Sequence, residues 1–168
     1  ITVERPLKLN FQVSPERVAR IRESKALAKL GEEQLAQIES ALGTIPGDVF
    51  KDREAFTEKL QAALKGAGVK LGTPAKKALM DALSEPDEGA EACRDGKGRL
   101  EPDASLRDTE NVPLKQDIQD YFAKEVLPHV PDAWIDDSKD KVGYEIPFNR
   151  HFYEYKPPRP LEEIVVEL

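Results

Sequence analysis

The 168-residue sequence has few of the residues that disulfides, metal sites and membrane spans require. It contains one cysteine, two histidines, one methionine and one tryptophan. The lone Cys93 excludes an internal disulfide and fits a reducing compartment, and His129 and His151 are too few and too scattered to favour a zinc site. No apolar run reaches the roughly 20 residues that cross a bilayer, and the first residues do not resemble a signal peptide. We therefore expect a cytoplasmic protein with no membrane partner.

A basic surplus is also lacking. The 25 Lys and Arg are outnumbered by 32 Asp and Glu, for a formal net charge of -7. Because affinity for a nucleic-acid backbone comes from neutralising phosphates, such a chain is not expected to bind DNA independently, although one local basic strip stays compatible with this balance. With 39% hydrophobic and 34% charged residues, the composition is that of a helix-rich globular chain. Its length allows one compact domain.

The first thirteen residues alternate between apolar and polar side chains, which predicts a half-buried strand over residues 1–13. The apolar set occupies the odd positions, and Glu4 belongs to the polar set. Because Pro6 cannot donate a ladder hydrogen bond, the strand is expected to lie at an edge or to be broken by a bulge. Since the chain starts at Ile1 rather than Met and reads as a strand at once, we expect it to be a fragment, with this strand leading out of an absent domain.

Residues 14–84 are predicted to form a helical bundle with short connections. Apolar residues at helical spacing predict Pro15–Leu30, Glu32–Leu42, Arg53–Lys65 and a further helix that begins at Thr73-Pro74. Ser14 and Asp52 are suited to the N-cap positions of the first and third helices. In the last of these helices, Ala75, Leu79 and Leu83 are predicted to face the core.

The second half of the chain has a different pattern. Residues 85–105 are polar and contain no aromatic side chain, which predicts a solvated loop or a loose hairpin about Asp95-Gly96. Residues 106–168 are predicted to form a helix over Pro113–Leu127, an aromatic extended segment and a Pro-rich exit, and to share one compact domain with residues 14–84. The fold class expected is therefore α+β and mainly α: a helical bundle with a few short extended segments near the two ends and a Pro-rich C-terminal exit.

Basic and aromatic side chains are interleaved near the C-terminus, a pattern that can hold a nucleic-acid strand by phosphate contact and stacking. The possible DNA or partner contacts are Lys141, Arg150, His151, Lys156, Arg159 and Trp134. The alternative that we favour around Arg150 is packing, with Phe148 and Phe152 facing a core and the charges at its rim. For Trp134, a core anchor for a loop is the simpler interpretation, and an interface hot spot is the sharper one.

An acidic turn is the remaining candidate site. Asp136, Asp137 and Asp140 are close in sequence but lack the glycine and the terminal glutamate of a calcium loop. We therefore predict a solvated turn there, and no metal site. No residue is assigned a catalytic or cofactor-binding role.

Five stretches of the sequence together resemble one known protein family. Residues 1–11 read Ile-Thr-Val-Glu-Arg-Pro-Leu-Lys-Leu-Asn-Phe, residues 106–114 read Leu-Arg-Asp-Thr-Glu-Asn-Val-Pro-Leu, residues 130–135 read Val-Pro-Asp-Ala-Trp-Ile, residues 143–153 read Gly-Tyr-Glu-Ile-Pro-Phe-Asn-Arg-His-Phe-Tyr and residues 157–164 read Pro-Pro-Arg-Pro-Leu-Glu-Glu-Ile. They resemble the region after the catalytic domain in the DNA methyltransferase (M) subunit of type I restriction-modification systems. The specific likeness covers roughly four tenths of the chain, and the helices between resemble the family by pattern alone.

The resemblance implies a parent protein that methylates adenine N6 in DNA with S-adenosylmethionine. It also implies assembly with a specificity subunit and, for DNA cleavage, with a restriction subunit. The segment after the catalytic domain is expected to pack on that domain and to lead into a tail that docks on the specificity subunit. DNA is then contacted through the complex.

Two signals of an adenine methyltransferase are missing from the chain itself. It has no glycine-containing turn after a strand to accommodate S-adenosylmethionine. It also has no Asn or Asp followed by Pro-Pro and an aromatic residue; Lys156 precedes Pro157-Pro158 instead, and a lysine cannot accept a hydrogen bond from the target amino group. We expect no cofactor and no enzymatic activity in this chain alone.

Three functions from different classes follow. The leading hypothesis is a non-catalytic structural and interaction segment of a type I methyltransferase subunit. The first alternative is a DNA-contacting module of the same complex. The second is a free-standing helical adaptor, which requires a start codon at or near Ile1.

Overall fold

The computed structural model describes residues 1–143 and 152–155, which form a mixed α+β fold that is mainly helical, as predicted. Its strands are β1 (Thr2–Glu4), β2 (Leu9–Phe11), β3 (Ser84–Pro86), β4 (Asp108–Thr109) and β5 (Trp134–Ile135). Its α-helices are α1 (Pro15–Glu23), α2 (Glu32–Leu42), α3 (Arg53–Gly66), α4 (Thr73–Leu83) and α5 (Ile118–Tyr121). Two 3-10 turns cover Ala28–Leu30 and Asp137–Lys139, and a π-helical turn over Phe122–Val126 continues α5. No helix in the described residues is long and apolar enough to cross a bilayer.

The helices begin at the predicted caps. Ser14 Oγ accepts from the backbone N–H of Arg17 at 3.3 Å, and Asp52 Oδ1 accepts from the N–H of Glu54 at 2.8 Å. These bonds satisfy N–H groups that the first turn of a helix leaves unpaired. Helix α2 has the predicted bounds, and α3 is one residue longer than predicted.

The predicted helix over Pro15–Leu30 is wrong in its second half. The helix ends at Glu23, where Ser24 turns extended, and the 3-10 turn follows. Packing explains the break, because both Ile21 and Leu27 are fully buried. Six residues along an ideal helix, Leu27 would point roughly 120° away from the face of Ile21.

The main hydrophobic core lies between β2 and helices α1 to α4. Helix α1 packs on α4 and α2 packs on α3, and Phe11 of β2 stacks on Phe56 of α3 with ring centroids 5.2 Å apart. The side chains of Ala75, Leu79 and Leu83 are buried, which confirms the predicted inner face of α4. The finer prediction of a helical bundle stays a prediction.

The N-terminal strand is not one continuous edge strand. It divides into β1 and β2, and Pro6 lies between them in an isolated bridge with Pro102. In the described residues β1 is the central strand of a sheet ordered β4–β1–β5, while β2 pairs with β3. The alternation rule therefore fails for Thr2 and Glu4, which are buried rather than exposed. Strand β1 has a paired strand on each side, and the Glu4 side chain is covered by those of Arg107 and Lys139.

The polar segment over residues 85–105 contains the predicted hairpin but is not a loose connector. Arg94 pairs with Leu100 across a turn in which Gly98 has a φ of 79°. The segment then runs along the N-terminal strand. Cys93 donates from its N–H to the carbonyl of Leu7 at 2.7 Å, and Asp103 donates to the carbonyl of Arg5 at 2.8 Å.

The predicted helix over Pro113–Leu127 starts late. Asp117 caps it by accepting from the N–H groups of Gln119 and Asp120, so α5 begins at Ile118. Leu114, which lies before the cap, is 78% exposed. A second, smaller cluster forms where Phe122 and Val126 pack on Val3 of β1.

The predicted aromatic segment is described only in part. Phe152, Tyr153 and Tyr155 are exposed, so the core packing that we favoured for Phe152 is wrong. The Pro-rich exit and the other aromatic residues of this stretch lie outside the described residues.

Candidate interaction site

Three stretches that carry the family likeness meet in the sheet β4–β1–β5. Strand β1 comes from residues 1–11, β4 from residues 106–114 and β5 from residues 130–135. Both pairings are antiparallel. Stretches that are far apart in the sequence thus build one compact unit, which we call the motif sheet.

The motif sheet has two different faces. Val3 pairs with Ile135, and both side chains pack into the second cluster beneath the π-helical turn. Glu4 pairs with Trp134, and directly opposed residues of an antiparallel pair project to the same side. Glu4 and Trp134 therefore share the other face.

Trp134 is half-buried, and among the described residues it belongs to neither hydrophobic cluster. Trp134 lies in β5, not in a loop, and its neighbours Ala133 and Ile135 pack on the second cluster. Because successive strand residues alternate between faces, the packing of Ile135 turns Trp134 away from that cluster. Both interpretations of Trp134, as a core anchor and as an interface residue, stay predictions.

A buried carboxylate lies at the centre of this face. Glu4 is 1% exposed, and its Oε1 accepts from Arg107 Nε at 2.8 Å and from Lys139 Nζ at 2.6 Å. Its Oε2 is buried and has no hydrogen-bond partner among the described residues. Burial raises the pKa of Glu4, but the hydrogen bonds and positive charges of Lys139 and Arg107 together outweigh burial and hold the pKa below the ordinary value of 4.5. The group is therefore an anion at neutral pH, held by one cation from each flanking segment.

A second ion cluster joins two of the same matched stretches, residues 1–11 and 130–135. Lys8 Nζ lies 2.6 Å from Asp132 Oδ2, and Arg5 Nε lies 3.6 Å from Asp132 Oδ1. The hydrogen bond from Lys8 holds the pKa of Asp132 below its ordinary value. Among the described residues, ion pairs therefore link residues 1–11 to residues 106–114 and to residues 130–135.

The acidic turn after β5 is engaged in local contacts. Asp136 accepts from the N–H and the hydroxyl of Ser138 and pairs with Lys139 at 2.6 Å. Asp140 Oδ1 accepts from the N–H of Thr2 at 3.3 Å. Within residues 1–143 and 152–155, no group of three or more His, Cys, Asp or Glu side chains is arranged to hold a metal ion.

Cys93 is not placed as a nucleophile. The side chain is 2% exposed, and burial raises the pKa of the thiol, with only partial opposition from Arg53. The thiolate is the reactive form, so Cys93 is an inert side chain at neutral pH.

Of the predicted contact residues, the structure describes two. Trp134 lies on the motif sheet and Lys141 is exposed at the end of the longer described range. Arg150, His151, Lys156 and Arg159 lie outside the described residues.

The residues at the centre of the site were not found from the sequence. Glu4 falls on the polar side of an alternating pattern, so its burial has no local signal. Arg107 and Lys139 are its partners at sequence separations of 103 and 135 residues, and such pairings have no signature in a single sequence.

Comparisons with known proteins identified no relative of this chain. No family model, no curated protein and no solved structure matches the chain. The functional conclusion therefore depends on the residues, their contacts and the likeness of the five stretches.

Proposed function

We propose that this chain is a non-catalytic structural and interaction segment of a type I restriction-modification methyltransferase subunit. The parent protein would transfer a methyl group from S-adenosylmethionine to adenine N6 in DNA. The observation that carries the proposal is the motif sheet, because the stretches resembling the family supply β1, β4 and β5 and pair their charges with one another.

The ion pairs of the motif sheet support a structural role for its carboxylates rather than a catalytic one. A catalytic carboxylate faces a space that substrate can enter, whereas Glu4 is buried and bound to two cations. Asp132 is likewise bound to Lys8. In this proposal the chain has a structural role, and the catalytic groups belong to its partners.

The face of the motif sheet that carries Trp134 is the proposed docking surface. The side chain of Arg107 is 39% exposed and that of Lys139 is 41% exposed, and both meet at Glu4 opposite Trp134. Tryptophan and arginine are the residues most enriched in interface hot spots. The proposed partners are the catalytic domain of the same subunit and the specificity subunit.

The parent is tested by reading the coding sequence upstream of Ile1. We expect a glycine-containing turn after a strand and an Asn or Asp followed by Pro-Pro and an aromatic residue. A start codon at or near Ile1 with no such domain would overturn the proposal and leave the helical adaptor.

Docking is tested in the complete subunit with Trp134→Ala. The affinity for the purified specificity subunit, and the methylation rate of the assembled complex, are compared with those of the unchanged protein. We expect the affinity to fall by at least about tenfold, since hot-spot truncations cost roughly 2 kcal/mol or more.

The matched control is Val49→Ala, which removes a half-exposed apolar side chain from the connection before α3. Circular dichroism establishes that both variants fold. Equal binding by the Trp134→Ala and Val49→Ala variants, with methylation unchanged in both, would reject the motif sheet as a docking surface.

The second candidate is a DNA-contacting module, favoured by exposed rings beside basic residues. Tyr153 and Tyr155 are each 70% exposed, and Lys141 is exposed as well. This candidate predicts salt-sensitive binding to duplex DNA that weakens when Arg150 and Arg159 are both changed to Ala. Binding that is absent at low salt, or indifferent to both changes, rules it out.

A further inference from the structure

A groove of about 380 Å³ lies between the end of α3 and the start of α4. Its floor is apolar, with Leu64 and Val69 buried and Leu71 half-buried. Its border carries three exposed lysines, Lys65, Lys70 and Lys76, and no acidic residue lines it. We call it the lysine groove.

The three lysines of the lysine groove are uncompensated. Within residues 1–143 none of them forms an ion pair, whereas Arg22 and Lys139, for example, pair with acidic side chains. Glu32 and Glu33 line a neighbouring groove that also includes Lys70, but Glu32 pairs with Arg22 and neither carboxylate forms an ion pair with Lys70. An unpaired positive edge on a chain of net charge -7 is a local exception to the acidic surface.

The floor of the lysine groove is held in shape by the way α3 ends. Val69 donates from its N–H to the carbonyl of Leu64 at 2.9 Å, and Gly68 donates to the carbonyl of Lys65 at 3.1 Å. Gly68 has a φ of 70°, as expected of the glycine in a Schellman motif. The motif fixes apolar Val69 beside the lysines, so little ordering is required for binding.

We propose that the lysine groove binds an acidic amphipathic helix of a partner protein. The apolar side chains of that helix contact the floor, and its carboxylates pair with the three lysines. Helices of this type place apolar residues at positions i, i+3, i+4 and i+7 on one face. The inference goes beyond the proposed function, since the surface lies outside the stretches that resemble the methyltransferase family.

Nucleic acid suits the lysine groove less well. A phosphate backbone has no group to place against Leu64, Val69 and Leu71, and no aromatic residue lines the groove for a base to stack on. The opposite polarity of floor and border instead matches the two faces of an amphipathic helix. Duplex DNA and a second copy of this chain are therefore the competing occupants to be excluded.

The test uses the full chain and a synthetic acidic peptide of about 15 residues, with leucine at the four apolar positions and glutamate between them. Fluorescence anisotropy measures its affinity at low salt. The groove variant carries Lys65→Gln, Lys70→Gln and Lys76→Gln. The matched control carries Lys25→Gln, Lys29→Gln and Lys115→Gln, which removes three exposed lysines that line no part of the groove.

We expect the groove variant to bind the peptide at least tenfold more weakly and the control variant to bind it as the unchanged chain does. A peptide with glutamine in place of glutamate, and one with serine in place of leucine, should each bind more weakly. The proposal is overturned if the acidic peptide does not bind or if both variants lose affinity equally. It is also overturned if the groove variant loses affinity for duplex DNA or loses self-association instead of peptide affinity.

Discussion

Arg107 Nε lies 2.8 Å from Glu4 Oε1, although the two residues are 103 positions apart in the sequence. Lys139 reaches the same oxygen at 2.6 Å from the opposite flank of β1. One buried carboxylate therefore joins the segments that enter β4 and leave β5. Removing this carboxylate should therefore destabilise the whole motif sheet.

Replacing Glu4 with Gln should lower the free energy of unfolding by about 2 kcal/mol. Breaking a fully buried ion pair costs roughly 3–5 kcal/mol, and the loss is smaller here because Arg107 and Lys139 can turn their charges toward water. Urea unfolding followed by circular dichroism measures the change. The control is Glu39→Gln, which breaks an exposed pair with Arg22 and should have a much smaller effect. Equal effects of the two variants would show that Glu4 has no special structural role.

The contribution of Glu4 should depend on pH with a defined sign. The pKa of Glu4 in the folded chain lies below the ordinary value of 4.5, so its stabilising effect is present above that value and is lost as the pH falls through the folded pKa. The difference in unfolding free energy between the unchanged chain and the Glu4→Gln variant should therefore be constant near neutral pH and shrink as the pH falls below the ordinary value of 4.5. A difference that grows toward acid would contradict the ionised, paired state.

Two glycines at the end of α3 should respond to alanine in opposite directions. At Gly66 a Cβ meets nothing within 4 Å and the residue is helical, so Gly66→Ala should stabilise the chain by about 0.5 kcal/mol. At Gly68 the φ of 70° disfavours any side chain, so Gly68→Ala should cost about 1 kcal/mol. Thermal unfolding of the two variants side by side measures both signs. Stabilisation by Gly68→Ala would refute the Schellman geometry that shapes the lysine groove.

The second cluster should open without the main core. Phe122→Ala removes the buried ring that packs on Val3, with a local cost of about 3 kcal/mol. Hydrogen exchange followed by mass spectrometry should then speed up in α5 and the motif sheet, while α2 and α3 stay protected. The reciprocal change, Phe56→Ala, removes a ring from the main core and should speed up exchange in the helices. Uniform acceleration by Phe122→Ala would mean that the two clusters unfold as one.

Sequence reasoning succeeded where the determinants are local. The start of α3 follows from Asp52, whose carboxylate needs only the N–H two residues on. The inner face of α4 follows from apolar spacing. It failed where a distant contact overrides the local pattern. Helix α1 stops short because Leu27 must reach a core built by other segments, and Glu4 is buried because its cations arrive from far along the chain.

The candidate site was predictable only in outline. Trp134 and the matched stretches were singled out, yet neither their meeting in one sheet nor the burial of Glu4 has a signature in a single sequence. Strand pairing is non-local, and an alternating pattern shows which residues share a face without showing what covers it. The lysine groove was missed because its lysines come from two helices and the turn between them.

The pairing of β1 with β4 and β5, which lie far along the chain, affects the order in which segments can fold during synthesis. The first residues of the chain leave the ribosome long before their pairing segments exist, since Thr2 donates its N–H to Asp140, 138 residues later. At roughly 5–20 residues per second, the 138 residues between the two partners take about 7 to 28 seconds to synthesise, and the nascent strand has unsatisfied backbone groups until then. Helices α2 and α3 are translated within that interval, so strand β1 pairs only after residues that follow it in the sequence can already be in contact.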